Sequence, residues 1–319
     1  MIQPSSQAVT FQAVTKKYAG ATVIDGLSFS VPRGSTFGLL GPNGAGKSTS
    51  LKALMGLLRI DSGRIEIFGN DVSALQATPD YVALRQRVGY VSEVHTVYKW
   101  MKVKQAMTFV KAFQPHWNDD LAAELLTLFQ LEPNKKIRQL SKGMLAKLSL
   151  LLAVAHEPEL LILDEPTSGL DAIAREEFLY GVLKTIADTE RTIIFSSHSI
   201  GDVERIADRV GVIKSGRMVV EQSVEGLLSD TKRLRVALPD GHRLGWVPEN
   251  TIWQQVHRRE WELTVSEFTP QIVDQLKQTN GVEIVDVRDL SLEEIFKDYF
   301  RDSHIPAPHS GHVSEVANA

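Results

Sequence analysis

The sequence contains no cysteine in 319 residues. Disulfide frameworks, thiolate zinc sites and cysteine nucleophiles are therefore excluded, and a reducing compartment fits. Long apolar runs are missing too. The longest mostly apolar stretch, Leu148–Ala155, falls far short of the ~20 residues that a membrane span requires. The opening residues MIQPSSQAVT lack the basic flank and apolar core of a signal peptide. There is no excess of positive charge: 35 Lys and Arg stand against 39 Asp and Glu, a net charge of -4. That balance argues against broad nucleic-acid binding. No internal repeat is present. These absences lead us to expect a soluble, cytoplasmic chain that forms no pore by itself.

What is present is ordinary globular material, 43% hydrophobic and 23% charged, with ample apolar content for a core. The length favours two domains. Val9–Val14, Leu27–Val31 and Thr36–Leu40 read as strands, and a helix is expected from Lys47 to about Leu58, with Leu51, Leu54, Met55 and Leu58 on one face. Arg64–Phe68 and Arg87–Val91 read as further strands. Between about Thr96 and Ala155 the pattern turns helical: Val103–Phe113, Asp119–Phe129 with Asn118 as N-cap, and Lys142–Ala155. Strands then alternate with helices: Leu160–Leu163, Ala172–Ile186, Thr192–Phe195, Ile200–Ala207 and Arg209–Ile213. That alternation argues for a parallel sheet covered by helices.

A boundary is expected near Leu228–Lys232. Beyond it, strands at Arg233–Ala237, Trp261–Val265 and Val282–Val287 accompany a helix over Pro270–Thr279, stopped by Asn280-Gly281. A last helix runs to Phe300 behind a capping box of Ser291 and Glu294. Residues 302–319 are rich in His, Pro, Ser, Gly and Ala and read as a disordered tail.

Gly41-Pro42-Asn43-Gly44-Ala45-Gly46-Lys47-Ser48 matches G-x-x-x-x-G-K-[ST] between an expected strand and helix. Backbone N–H groups must turn inward to hold phosphate oxygens, and glycines permit that curvature. The helix N-terminus adds positive potential. Lys47 reaches the β- and γ-phosphates, the Ser48 hydroxyl ligates Mg²⁺, and Thr49 meets the α-phosphate. Leu160–Leu163 is apolar and ends in Asp164-Glu165. A strand buried on both faces delivers Asp164 to the sheet's carboxyl edge as a Mg²⁺ group, with Glu165 placed to polarise water.

Further motifs lie at fixed positions around these two. They are Leu140-Ser141-Lys142-Gly143-Met144 before the acidic strand, Ser168-Gly169-Leu170-Asp171 after it, and Ser196-Ser197-His198 beyond the next strand. Together with the phosphate loop, they resemble the ATP-binding cassette (ABC) ATPases, the nucleotide-binding subunits of ABC transporters. The resemblance covers residues ~8–228. It implies an α/β P-loop NTPase core, a mixed sheet with helices plus an α-helical signature subdomain at about 96–155. A small α+β domain at 229–300 and a loose tail at 301–319 follow the core.

The resemblance also implies site residues. In the family a head-to-tail dimer traps ATP between the phosphate loop of one subunit and the signature of the other. Ser141 and Gly143 then bind the partner's γ-phosphate, and Asp171 hydrogen-bonds across the dimer. Lys142 and Met144 depart from the usual Gly and Gln. Lys142 is either a solvated side chain or a phosphate contact. Glu93, in Gly89-Tyr90-Val91-Ser92-Glu93, stands where Gln is usual and offers oxygen to Mg²⁺. Tyr18 is placed like the aromatic that stacks on adenine. His198 matches the histidine that contacts γ-phosphate. Glu165 orients and deprotonates the attacking water, with charge stabilised by Lys47, Mg²⁺ and His198.

Residues 229–300, closing on Leu290–Phe296, resemble the C-terminal extension of the ABC-2, drug-exporter-like group. Ser-Lys-Gly-Met and Glu93 also occur there, and Ala112–Asn118 resembles one bacterial branch. The implied protein is the ATPase subunit of an exporter, with ABC-2-type transmembrane subunits on separate chains and a second ATP-binding subunit, identical or not. It would sit on the cytoplasmic face of the cell membrane. The alternative is a soluble ABC ATPase acting on a macromolecular complex. Against it stand a single phosphate loop and an insertion too short for a coiled coil.

Overall fold

The computed structural model describes residues 6–75, 78–187, 190–239, 244–279 and 282–301. The chain divides between Glu225 and Gly226 into two compact units.

The first unit opens with a hairpin of β1 (Gln7–Tyr18) and β2 (Ala21–Pro32). Both strands run well beyond the apolar segments that signal them. Lys16, Lys17 and Thr22 pair across the ladder but carry polar side chains, Lys17 and Thr22 exposed, so alternation fades before the strands end. The turn places Ala19 and Gly20 at φ 45° and 86°, the left-handed pair that matches hairpin twist. Next come β3 (Thr36–Leu40), α1 (Lys47–Leu54), β4 (Ser62–Ile67), β5 (Asn70–Asp71), α2 (Val72–Leu75), α3 (Pro79–Gln86) and β6 (Val88–Val91). Helix α1 stops four residues short of Leu58. Gly56 turns left-handed at φ 62°, so Leu58 reaches the core from a turn instead. Helix α3 had no apolar stripe to announce it, since only Leu84 is buried. Its start is a Thr78 cap, which accepts from Tyr81 N, with Pro79 in the first turn.

The insertion follows: α4 (Val103–Lys111), α5 (Asp119–Leu128) and α6 (Lys142–Val154). Asn118 Oδ1 accepts from Leu121 N, and Ser141 Oγ from Met144 N, as N-caps. The unit continues with β7 (Leu160–Asp164), α7 (Ala172–Ala187), β8 (Thr192–Ser197), α8 (Ile200–Ile206), β9 (Arg209–Lys214) and β10 (Arg217–Ser223). The division between units falls within α9 (Val224–Asp230).

One sheet, ordered β2-β1-β4-β5, is antiparallel. The other, ordered β10-β9-β3-β8-β7-β6, is parallel except for β10. Strands β3, β7 and β8 are neighbours and buried throughout, which explains their unbroken apolar runs. Their carboxyl ends lie side by side, so the segments after Leu40, Asp164 and Ser197 converge on one edge.

The second unit has a four-stranded antiparallel sheet, ordered β12-β13-β11-β14. Its elements are β11 (Lys232–Ala237), β12 (Thr251–His257), β13 (Glu260–Val265), α10 (Pro270–Gln278), β14 (Ile284–Asp289) and α11 (Leu292–Phe300). Leu234, Val236, Leu263, Val265 and Leu276 form its own core. Both halves of the Ser291–Glu294 capping box are made. Strand β12 was unforeseen. The Asn280-Gly281 stop and the tail lie outside the described residues.

Candidate functional site

The loop from Gly41 to Gly46 leaves β3 and enters α1. Gly44 and Gly46 take φ 82° and 108°, where a side chain would be strained. A Cβ on Gly41 would stand 2.5 Å from Ile213 O, so the loop packs closely over β9. Gly46 caps α1 without a side-chain bond, which leaves the first amides of the helix open to an anion. Lys47 is nearly buried and donates to Gly41 O at 2.7 Å. Its Nζ also lies 3.0 Å from Glu165 Oε1. The contact is a charge pair, since Oε1 has no partner of hydrogen-bond geometry.

Two carboxylates face the loop from the end of β7. Asp164 Oδ1 accepts from Ser48 Oγ at 2.8 Å and from Ser196 Oγ at 2.9 Å, and Tyr90 OH lies 3.5 Å from Oδ2. Burial, with the Asp164 charge, pushes the Tyr90 phenol well above its ordinary range. Glu165 sits at φ 47°, an uncommon conformation for a side-chain-bearing residue. Its amide donates to Ser196 Oγ at 2.9 Å. Its Oε2 lies 2.7 Å from His198 Nδ1 and 3.3 Å from the His198 amide. Burial alone would raise the Glu165 carboxyl. The His198 hydrogen bond and the Lys47 contact outweigh it and hold the group below its ordinary value. Lys47, Glu165 and His198 thus form one chain of contacts.

These groups line a cavity of about 330 Å³, within the small-molecule range. The loop from Pro42 to Thr49 forms one wall, and Glu93, Glu165, Ser168 and His198 the other. Ser196 was not foreseen as a site residue. Its signal was a hydroxyl at the end of a wholly buried apolar strand. The hydroxyl of Ser48, Asp164 and Glu93 form a set of hard oxygen donors, which suits Mg²⁺ with retained water.

Other expected residues lie away from this cavity. Tyr18 ends β1, is 47% exposed and has Lys16 Nζ 5.4 Å from its ring. It is not among the described lining residues. Ser141 caps α6, and Gly143 packs so closely on α7 that a Cβ would stand 2.7 Å from Ala174 Cβ. Asp171 Oδ1 accepts from Ala174 N at 2.8 Å at the start of α7. Lys142 Nζ crosses over Gly169, where a Cβ would meet it at 2.3 Å. The signature lysine therefore reaches the Ser168–Asp171 turn of its own chain.

Behind the site lies an unforeseen polar network. Asp202, 3% exposed, accepts from Thr167 Oγ1 at 2.7 Å and Arg175 Nε at 2.5 Å. Arg175 also bonds Ser199. One carboxylate thus ties the turn after Glu165 to the turn after His198. A second cavity of about 480 Å³ opens between α3, β6 and the insertion, with His95, Gln114 and His156 in its wall. Burial pushes both histidines below their ordinary value, with the Lys142 charge adding at His95. Among the described residues no helix is long and apolar enough to cross a membrane.

The family model described as ABC transporter matches residues 24–168. The Nod factor export ATP-binding protein I of Neorhizobium galegae is 37% identical over 231 residues, 70% of this chain and 65% of that protein. The match thus spans slightly under two thirds of that relative. The daunorubicin resistance ATP-binding protein DrrA3 of Streptomyces coeruleorubidus is 31% identical over 305 residues, 91% of this chain and 94% of that one. Among solved structures, an ATP binding subunit of an ABC transporter superposes with a TM-score of 0.61 at 26% identity, covering 68% of this chain and 90% of that chain.

Proposed function

The chain belongs to the family of ABC transporter ATP-binding proteins, and from that premise we propose that it hydrolyses ATP to drive an exporter whose membrane-spanning subunits are other polypeptides. The observation that carries the chemistry is Glu165, ionised between Lys47 at 3.0 Å and His198 at 2.7 Å at the mouth of the phosphate loop.

The steps follow from those positions. The loop amides and Lys47 hold the β- and γ-phosphates, Lys47 exchanging its Glu165 contact for phosphate oxygen. Freed of that charge, Glu165 orients a water in line with the γ-phosphorus and takes its proton. His198 donates to the γ-phosphoryl oxygens as charge spreads over them. Mg²⁺, when bound, neutralises phosphate charge, and Ser48, Asp164 and Glu93 would hold it. Tyr18 stacks on the adenine. Ser141, Gly143 and Asp171 serve the site of a second copy in a head-to-tail homodimer, so that closure completes the site.

We assign residues 1–228 to the nucleotide-binding domain and 229–300 to an accessory domain. The names of the relatives, Nod factor export and daunorubicin resistance, support the ABC-2 exporter group. The cavity between α3 and the insertion is the seat for the membrane subunit, at the cytoplasmic face.

Replacing Glu165 with Gln tests the chemistry. The variant retains ATP binding, and turnover falls by about 10²–10⁴-fold. Hydrolysis at the normal rate would remove Glu165 as the base. Co-purification from membranes with a multi-span protein, lost on substitution of Gln114, tests the coupling. A chain recovered only from ribosome or nucleic-acid fractions would overturn it.

A further inference from the structure

The insertion carries a surface that ATP chemistry does not use. No Asp or Glu occurs between Glu93 and Asp119, although acidic residues outnumber basic ones over the chain. The same stretch holds Lys99, Lys102, Lys104 and Lys111 together with Tyr98, Trp100, Phe109 and Phe113. Folding gathers the four rings on the outside. Tyr98 lies 6.0 Å from Trp100 and 5.8 Å from Phe109, and Phe109 lies 5.2 Å from Phe113, between centroids. Trp100 is 67% exposed and Phe113 65%. Rings of this size normally bury most of their surface, and a contiguous exposed group marks an interaction site.

A second segment adds cations. Arg138 N donates to Lys99 O at 3.1 Å and Ile137 N to Met101 O at 2.9 Å, while Lys102 bridges Lys136. Lys99, Lys102, Lys136 and Arg138 therefore lie on two hydrogen-bonded segments, one of which carries Trp100. Nearby acids are already engaged: Asp119 with Lys111 at 2.7 Å and Glu132 with Lys135 at 3.6 Å. Among the described residues none of the four cations makes an ion pair.

Exposed Trp and Tyr beside unpaired Lys and Arg are the composition of the membrane–water interface. There, rings sit at headgroup depth and cations face lipid phosphates. Phe113 also lines the cavity proposed as the seat of the membrane subunit, so the patch borders that seat; an apolar helix there would use Phe113 and leave Trp100 and the cations idle. We propose that this patch rests on the anionic surface of the bilayer, with Tyr98 and Trp100 entering the headgroup layer and Lys99, Lys102, Lys136 and Arg138 meeting lipid phosphates. The inference deepens the reading of the chain as a membrane-coupled ATPase and rests on it. Lipid contact would hold the insertion at the membrane and raise the effective concentration of the cassette near its membrane subunits.

The test is flotation of the full chain with vesicles of phosphatidylcholine alone, or with roughly one quarter phosphatidylglycerol. The chain should float with the anionic vesicles only, and less at high salt. Lys99→Ala with Arg138→Ala should weaken that association on the order of tenfold. Trp100→Ala should weaken it too, and both variants should keep the basal ATPase rate. Failure to float, equal association with neutral vesicles, or an unaffected double variant would overturn the proposal. So would a chain that ignores vesicles yet needs Lys99 and Arg138 to capture its membrane subunits, since the occupant would then be protein. That result would leave the membrane-coupled reading standing. Flotation with anionic vesicles by a chain that recovers no membrane-spanning protein from cell membranes would remove that reading and leave the patch.

Discussion

Glu165 is pulled in two directions, and as the proposed base it should set the acid limb of the pH profile. Burial favours its neutral acid, whereas His198 and Lys47 favour the carboxylate and prevail. The proposed base therefore stays ionised to lower pH than an ordinary glutamate. Removing the His198 ring deletes a 2.7 Å partner of Oε2 and leaves burial less opposed. The Glu165 pKa must rise, so the acid limb of the kcat/KM profile for His198→Ala should move to higher pH. A variant that is slower at every pH but has an unmoved acid limb would show that His198 acts on the phosphate alone. The phosphate loop and the Asp164-Glu165 strand end are legible in the sequence because their signals depend on near neighbours, whereas His198 is expected only through the family resemblance. Glycine spacing, a strand end and a helix start are all local. Ser196 was not legible. Its role depends on β8 lying beside β7, which brings its hydroxyl 2.9 Å from Asp164.

At the scale of elements, the Asp202 network ties together the turns that follow Glu165 and His198. Thr167 follows β7, Arg175 is on α7, and Asp202 and Ser199 belong to the start of α8. No pattern within one element reveals this, since an Asp in the first turn of a helix reads as a partner for the dipole. Helix α3 and strands β10 and β12 escaped for a related reason: their apolar positions are too few or too irregular to show a period. Asp202→Ala leaves Thr167 without its acceptor and Arg175 without its counter-ion. The loss should be about 2 kcal/mol, below the 3–5 of a fully buried pair because the Arg175 side chain is 36% exposed. Asp202→Asn keeps an acceptor and should lose less. If the network positions Glu165 and His198, kcat falls in both variants while KM for ATP stays near its normal value. A loss of thermal stability with an unchanged kcat would assign Asp202 to folding alone.

At the scale of the molecule, the proposed dimer makes the nucleotide cavity half a site. Lys47, Ser48, Glu165 and His198 face it, but Ser141, Gly143 and Asp171 are not among its described lining. Within this chain Ser141 and Asp171 serve as helix caps, and Gly143 as a close contact to α7. A helix start can stabilise phosphate only if phosphate is brought to it. In the proposed head-to-tail dimer a second copy does so, its loop-bound ATP facing α6. ATP should therefore be the bond between subunits, and hydrolysis should break it. Glu165→Gln, which cannot take the proton from water, should sediment as a dimer with Mg²⁺ and ATP and as a monomer without nucleotide. Adding Ser141→Arg obstructs the signature while leaving the phosphate loop intact. The double variant should bind ATP in its own cavity, fluoresce with a bound nucleotide analogue like the single variant, and remain monomeric. Were it to dimerise as readily as Glu165→Gln, the signature would lie outside the interface. The site would then be complete within one chain.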